Sequence, residues 1–417
     1  MEQFVKDQIT SGLKHLPKNL AKSYFIKGSS EETKSFREKT GFIRGVCHPT
    51  ENFEQIKGAN IGWVRIDIPF PFESDGVTVT KSYEGFKAKC KRFQDNGIKV
   101  MAVTPYPKEY FDCGADIRTC EGEKKVREIA RFLIKDMKGF ASGFQITNEM
   151  GIPRFTIPLT LKEAARFIAV NLEEMYPDKG DIIVGYNSAG PEAGLNEMLL
   201  PYVKYCDYVG IDIYMGCFFN MPGFIWIFEA LCRYLWAMTG KPVLIQEFGY
   251  LSGGAPKTKA EKKAMLQRYG ADSEKEAQRN IEKFVESMPK YFSEHIKYCC
   301  QNDPSRYFGF LFRSDMVNHF YCELPRLTKI PGYPHTPEGQ ARFFEDCISR
   351  LYSHGFICGC NIYCYKDPDK CYYCGQEDCP TETKWGLVDS KENEKPSYKA
   401  VRRVFGRIKW LEAVEKK

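Results

Sequence analysis

Apolar positions along the chain alternate between two patterns. Short runs rich in Val, Ile and aromatic residues give way to longer stretches in which apolar residues return every three or four positions. The first pattern reads as a strand covered on both faces and the second as an amphipathic helix, so their alternation predicts parallel strands joined by helices. Eight strand segments are expected, at 42–47, 63–68, 99–104, 143–147, 182–186, 208–214, 243–247 and 356–365. Helices are expected over 82–96, stopped by Gly97, and over 161–176, stopped by Pro177, with Thr160 and Thr336 as N-caps. Eight such units predict an α/β fold, a closed (β/α)8 TIM barrel.

Three segments interrupt the repeat. Residues 1–40 carry Phe4, Val5, Ile9, Leu13 and Leu20 at helical spacing, which predicts a helical extension packed on the bottom of a barrel domain spanning 41–410. Residues 250–335, after the seventh strand, are too many for an ordinary connection and read as a lid-like insertion with a strongly helical stretch over 273–299. Within it, 307–312 is an alternative eighth strand; 356–365 is preferred because the helix after Thr336 leads directly into it. The third segment, 358–380, is rich in cysteine and follows the last strand.

Composition narrows the function classes. A hydrophobic fraction of 43% with 27% charged residues is that of a globular chain. Sixty Lys+Arg against 54 Asp+Glu leave a net charge of +6 over 417 residues, too little and too dispersed for a nucleic-acid footprint. The first twenty residues lack the apolar core of a secretory signal, and the apolar run 213–228 is broken by Asn220 and Pro222. A cytoplasmic location without nucleic-acid or membrane partners is expected, and oligomeric state is left open. The patterns GxGxxG after a strand, GxxxxGK[ST], HExxH and GxSxG do not occur, which sets aside nucleotide, metalloprotease and serine-hydrolase chemistry.

The chain has 17 cysteines, an odd number, so at least one is unpaired within it. Six stand at 358, 360, 364, 371, 374 and 379. Cys371-x-x-Cys374 followed by Cys379 has the spacing of a structural zinc site, with Cys364 as the candidate fourth ligand; thiols merely packed in a reducing compartment are the alternative.

Titratable residues just past the C-terminal end of a barrel strand face the loops, where barrel active sites are built. Glu149 in GFQITNEM and Glu247 in PVLIQEFGY meet that condition after the fourth and seventh strands. A carboxylate in an apolar strand is costly unless paired or used, so two at equivalent positions suggest one shared site; structural ion pairs are the plainer reading.

Asn148-Glu149 after the fourth strand with Glu247 after the seventh resembles the retaining glycoside hydrolases of clan A, the cellulase-like TIM-barrel glycosidases. The resemblance runs from Gly41 to about Val401. It also rests on Arg65 in GANIGWVRIDIPF, Tyr214 in GIDIYMG and the tail WGLVDSKENEKPSYKAV. It implies cleavage of β-glycosidic bonds in short glycosides by double displacement, with Glu149 as acid/base and Glu247 as nucleophile. Arg65 and Tyr214 would keep Glu247 ionised, and Asn148 would bond the sugar 2-hydroxyl. No cofactor is needed for this chemistry. His48 is a candidate polar subsite residue and Tyr106 a candidate aromatic wall. The family commonly sets a Trp after its eighth strand as the sugar floor; here Tyr363, Tyr365 or, from the following loop, Trp385 would have to serve. The competing expectation is a catalytically silent carbohydrate-binding barrel, since one fold hosts many functions.

Overall fold

The computed structural model describes residues 31–415 except 219–222, 255, 314–317, 326–327 and 372–373, together with residues 10, 13, 14, 17, 18, 21 and 22. Eight parallel strands close into a barrel in sequence order: β1 (Ile43–Cys47), β2 (Trp63–Asp67), β3 (Lys99–Val103), β4 (Gly143–Ile146), β5 (Ile183–Ala189), β6 (Tyr208–Ile213), β7 (Val243–Phe248) and β8 (Ile357–Ile362). Closure comes from β8 against β1, where Ile43 pairs with Gly359 and Val46 with Ile362. The segment 307–312, weighed as an eighth strand, lies instead within the helix Pro304–Phe312.

A helix precedes the barrel: α1 (Glu31–Thr40). Its Phe36 enters the lower end of the barrel and joins Ile43, Trp63, Met101, Ile183, Tyr208, Leu244 and Cys358 in a closed apolar layer. Arg37 fixes α1 there by donating to the carbonyls of Tyr352 at 3.2 Å, His354 at 3.0 Å and Ile357 at 3.0 Å. The bottom contact thus comes from the end of the extension. Of the residues expected to pack there, Phe4, Val5, Ile9 and Leu20 lie outside the described residues, and Leu13 is 67% exposed.

The outer ring is built from α2 (Phe53–Gly58), α3 (Lys81–Asp95), α4 (Cys120–Asp136), α5 (Leu161–Asp178), α6 (Ala193–Leu199) and α7 (Ile225–Thr239), completed by α13 (Pro337–Tyr352) and α14 (Pro396–Glu415). The expected caps hold. Thr160 and Glu163 form a capping box at the start of α5, and the Thr336 hydroxyl accepts from the Gly339 amide. Pro177 does not end α5 as expected; it sits in the last turn. Between β7 and α13 lie α8 (Lys259–Arg268), α9 (Glu274–Arg279), α10 (Ile281–Glu286), α11 (Lys290–Cys299) and α12 (Pro304–Phe312). The strongly helical stretch expected over 273–299 is divided into three helices, interrupted at Asn280 and again at Pro289, which lacks the amide to continue one. These helices bury Phe284, Phe292, Ile296, Leu311 and Phe312 in a core separate from the barrel's. No helix among the described residues is long and apolar enough to cross a membrane.

Candidate active site

Side chains two apart on β2 share the barrel's inner face, so Trp63 fills the bottom layer while Arg65 rises toward the C-terminal mouth. Between them is a polar middle layer in which Asn361 donates to Gln246 at 2.8 Å and Gln246 donates to the Tyr208 hydroxyl at 2.8 Å.

Arg65 is nearly inaccessible to solvent and uses its guanidinium in three directions. Nη1 donates to Glu247 Oε1 at 2.6 Å, Nη2 to Asn148 Oδ1 at 2.6 Å and Nε to Gln145 Oε1 at 2.8 Å. The other oxygen of Glu247 accepts from the Tyr214 hydroxyl at 2.5 Å. Burial works against the Arg65 charge, yet Glu247 and its neighbours hold it well above the ordinary arginine value. Burial and the Glu247 charge push the Tyr214 hydroxyl up, so it stays a donor. Asn148 Oδ1 also accepts from Gln145 at 3.1 Å and from Asn187 at 2.7 Å. Three donors converge on that oxygen, which fixes the amide's orientation.

Glu149 leaves β4 through a turn with two non-glycine residues in the left-handed region, Thr147 at φ +54° and Glu149 at φ +49°. A β-branched residue there costs on the order of 1–3 kcal/mol and persists only where its surroundings hold it. They do so here. The Thr147 amide donates to the Thr104 hydroxyl at 2.8 Å, its carbonyl accepts from Gln145 at 2.7 Å, and the Glu149 amide donates to Asn187 Oδ1 at 3.0 Å. Glu149 and Glu247 are both buried at the mouth, and their charges act together on Tyr106, Asp212 and Tyr214.

The neighbours that reading the sequence missed are carboxyls, amides and a thiol, set in otherwise apolar strands except for Glu192, which caps the helix after β5. Asp212 pairs in register with Glu247 and accepts from Asn187 at 2.7 Å, while its Oδ1 has no hydrogen-bond partner. Burial first, then Glu247 and Glu149, push its carboxyl well above the usual carboxylate range. Glu192 turns its carboxyl against Gly151, where a Cβ would overlap it, and is likewise raised by burial and by Glu149. Cys47, in register with Arg65, is a buried thiol raised by desolvation. The available signal was polar letters inside apolar runs: Gln145 in GFQIT, Asn187 in VGYNSAG and Asp212 in GIDIY.

The aromatic residues divide. Tyr363 is half-buried and makes edge contacts with His48 at 5.3 Å, Tyr214 at 5.9 Å and Trp385 at 5.8 Å, and His48 itself is exposed at the end of β1. Tyr106 stacks on Phe155 with ring centres 5.2 Å apart, beside a cavity of about 270 Å³ lined by Asp67, Pro69, Thr104 and Glu109. A larger depression of about 550 Å³ lies on the flank of α4, away from the strand ends. Two expected platform residues are corrected. Tyr365 is wholly buried and donates to Gln55 at 2.7 Å; it and Tyr363 both lie past the end of β8, where strand alternation no longer sets side-chain direction. Trp385 is also wholly buried; its indole donates to the Pro380 carbonyl at 2.9 Å and its ring supports Tyr214, Phe218 and Tyr363 from beneath. A third correction concerns the cysteines. Cys364 is buried apart from the others with its thiol on the Lys366 carbonyl, while Cys322 joins Cys371, Cys374 and Cys379 in a cluster in which Cys322, Cys374 and Cys379 could hold a metal.

The closed eight-stranded barrel is shared with solved structures. A family 39 glycoside hydrolase from Bacteroides cellulosilyticus WH2 superposes with a TM-score of 0.52 at 15% identity, over 88% of this chain and 64% of its own. The GH53 catalytic domain of Ignisphaera aggregans gives 0.52 at 14%, over 91% and 96%, and a glucosidase from Croceicoccus marinus gives 0.53 at 11%, over 88% and 68%. This chain has the fold of the glycoside hydrolase barrels. It spans less than two thirds of the family 39 enzyme's length. No family model matches the chain, and no curated protein does.

Proposed function

We propose that the protein is a retaining β-glycosidase acting on short glycosides, with Glu247 as nucleophile and Glu149 as acid/base. The observation that carries this reading is the clamp on Glu247: one oxygen takes the Arg65 guanidinium and the other the Tyr214 hydroxyl. The cation and the hydroxyl hold and orient both oxygens of the carboxyl that attacks an anomeric carbon. In the first displacement Glu247 forms a bond to that carbon while Glu149 gives its proton to the departing glycosidic oxygen. In the second, Glu149 takes a proton from water, whose oxygen displaces Glu247. Asn148, its oxygen held inward by three donors, offers its amide protons to the sugar 2-hydroxyl. Tyr363 and His48 would border the sugar, and Tyr106 the side toward the cavity.

A panel of nitrophenyl β-glycosides tests this. At least one should be cleaved with the β-anomer as the first product seen by proton NMR. Glu247→Gln should lower turnover by about 10⁴-fold with the circular dichroism spectrum unchanged. Glu149→Ala should retain the first step on substrates with good leaving groups, and added azide should restore turnover by giving a glycosyl azide. A Glu247→Gln variant as active as the wild type would sink the assignment. The silent carbohydrate-binding barrel is favoured by one observation, that Trp385 and Tyr365 offer no open face. It predicts sugar binding without turnover of any glycoside by the unmutated chain.

A further inference from the structure

Four cysteines from two distant parts of the chain converge outside the barrel mouth. Cys371, Cys374 and Cys379 belong to the loop after β8. Cys322 comes from the segment after α12, in a tight turn closed by hydrogen bonds between Asn318 and Glu323 at 2.7 and 3.1 Å. Cys322, Cys371 and Cys379 are buried, Cys374 is partly so, and the four form a cluster of their own. The sulfurs of Cys322, Cys374 and Cys379 lie within 4.8 Å of one another, with Cys322 and Cys374 at 2.7 Å. The Cys371 thiol contacts those of Cys374 and Cys379. None of the 17 cysteines is in a disulfide.

We infer that these four thiolates form a structural zinc site that staples the helices between β7 and α13 to the loop after β8. Four sulfurs about 2.3 Å from a central zinc stand roughly 3.8 Å apart, a spacing inside the 4.8 Å within which the sulfurs of Cys322, Cys374 and Cys379 all lie. The backbone around the CxxC pair is shaped to match. The Cys374 amide points at Cys371 Sγ at 3.5 Å, the Gly375 amide donates to the Cys371 carbonyl at 2.8 Å, and Gly375 takes φ +72°, which a residue with a Cβ would resist. Amides directed at a ligating sulfur stabilise the charge on a thiolate. Polar tethers join the same two segments: Lys257 pairs with Asp378 and Gln376 donates to the Phe320 carbonyl at 3.2 Å, while Lys262 braces Glu323 within the first segment at 2.7 Å. Soft thiolates in a closed, buried tetrad suit zinc in a role that leaves no ligand position for substrate.

The staple reaches the mouth through a short path. The Cys379 carbonyl accepts from the Thr383 amide at 2.9 Å and hydroxyl at 2.8 Å, and the adjacent Pro380 carbonyl holds the Trp385 indole beneath Tyr214 and Tyr363. Zinc would therefore position the floor of the mouth without touching substrate.

The test is made on the full chain purified under reducing conditions without added chelator. Elemental analysis should give close to one zinc per chain, and replacement by Co(II) should produce the intense thiolate-to-cobalt charge-transfer absorption of a four-sulfur site. Cys379→Ser and Cys322→Ser should lose the metal, whereas Cys364→Ser should keep it in full. Chelation should lower Tm. Wild-type protein without zinc that also fails to bind Co(II) would overturn the inference, whether or not any variant folds. So would intact mass spectrometry showing disulfides among the four, or a Cys364→Ser variant as depleted as Cys379→Ser. These readouts do not depend on glycoside cleavage, so they stand or fall separately from the proposed function.

Discussion

Arg65 shows how much one residue organises. Its guanidinium plane meets a carboxylate and two amide oxygens in three directions, which an ammonium cannot do. Arg65→Lys keeps the positive charge next to Glu247 but leaves Gln145 Oε1 without its donor and Asn148 Oδ1 with two of its three. Under the glycosidase reading, kcat/KM should fall by about 10²–10³-fold, comparable to losing one preorganised donor, and stability by about 1–3 kcal/mol for the unsatisfied buried acceptor. Steady-state kinetics alongside a thermal melt check this; a variant within a factor of three of wild type would show that Asn148 needs no such anchor. Asn148, Tyr214 and Glu247 were visible as candidates because each stands at or just past a strand end, and Arg65, inside β2, because it belongs to the resemblance to the clan A barrels. Gln145, Asn187 and Asp212 escaped notice since each lies inside a strand, where a polar letter reads as filler until the closed ring shows which residues it faces.

Strands and loops carry their own lesson. Alternation of strand and helix is a local property, so all eight strands were legible within a residue or two at most ends. The cysteine ligand set was not, because proximity in sequence favoured Cys364 while the fold brings Cys322 across from another segment. Past the end of β8 strand alternation no longer applies: Tyr365 reaches Gln55 of α2, while Tyr363 stays against His48 and Tyr214. At the β7 end, Gly249 marks where two loops touch: a Cβ there would meet the Tyr363 carbonyl at 2.5 Å and the Trp385 ring at 2.7 Å. Both neighbours are fixed, one being backbone and the other a buried indole, so neither can yield without moving the floor. Gly249→Ala should destabilise the protein by about 1–3 kcal/mol and, under the proposed function, raise KM for an aryl glycoside more than it lowers kcat. A thermal midpoint and KM equal to wild type would place the slack elsewhere in the loop after β8.

At the scale of the whole molecule, a barrel closed below by Phe36 concentrates its buried charge at the other end, and that charge links stability to pH. Asp212 is the clearest case: it is buried, one oxygen has no partner, and desolvation followed by Glu247 and Glu149 raises its carboxyl well above the usual range. In the unfolded chain the same carboxyl titrates near its ordinary value, about 3.9. The folded state therefore holds this proton over a pH range in which the unfolded state has released it. The stability so contributed is complete below the unfolded value, declines as pH rises, and is lost by the time pH passes the folded value. The decline can reach about 1.4 kcal/mol per pH unit for one proton. Asp212→Asn preserves the shape and the acceptor for Asn187 while removing the titration. Its stability relative to wild type should grow as pH rises above the unfolded value, read as the difference in urea midpoints at each pH. Parallel curves across that range would mean that Asp212 is already ionised in the fold, and that the three carboxyls at the mouth share their charge in another way.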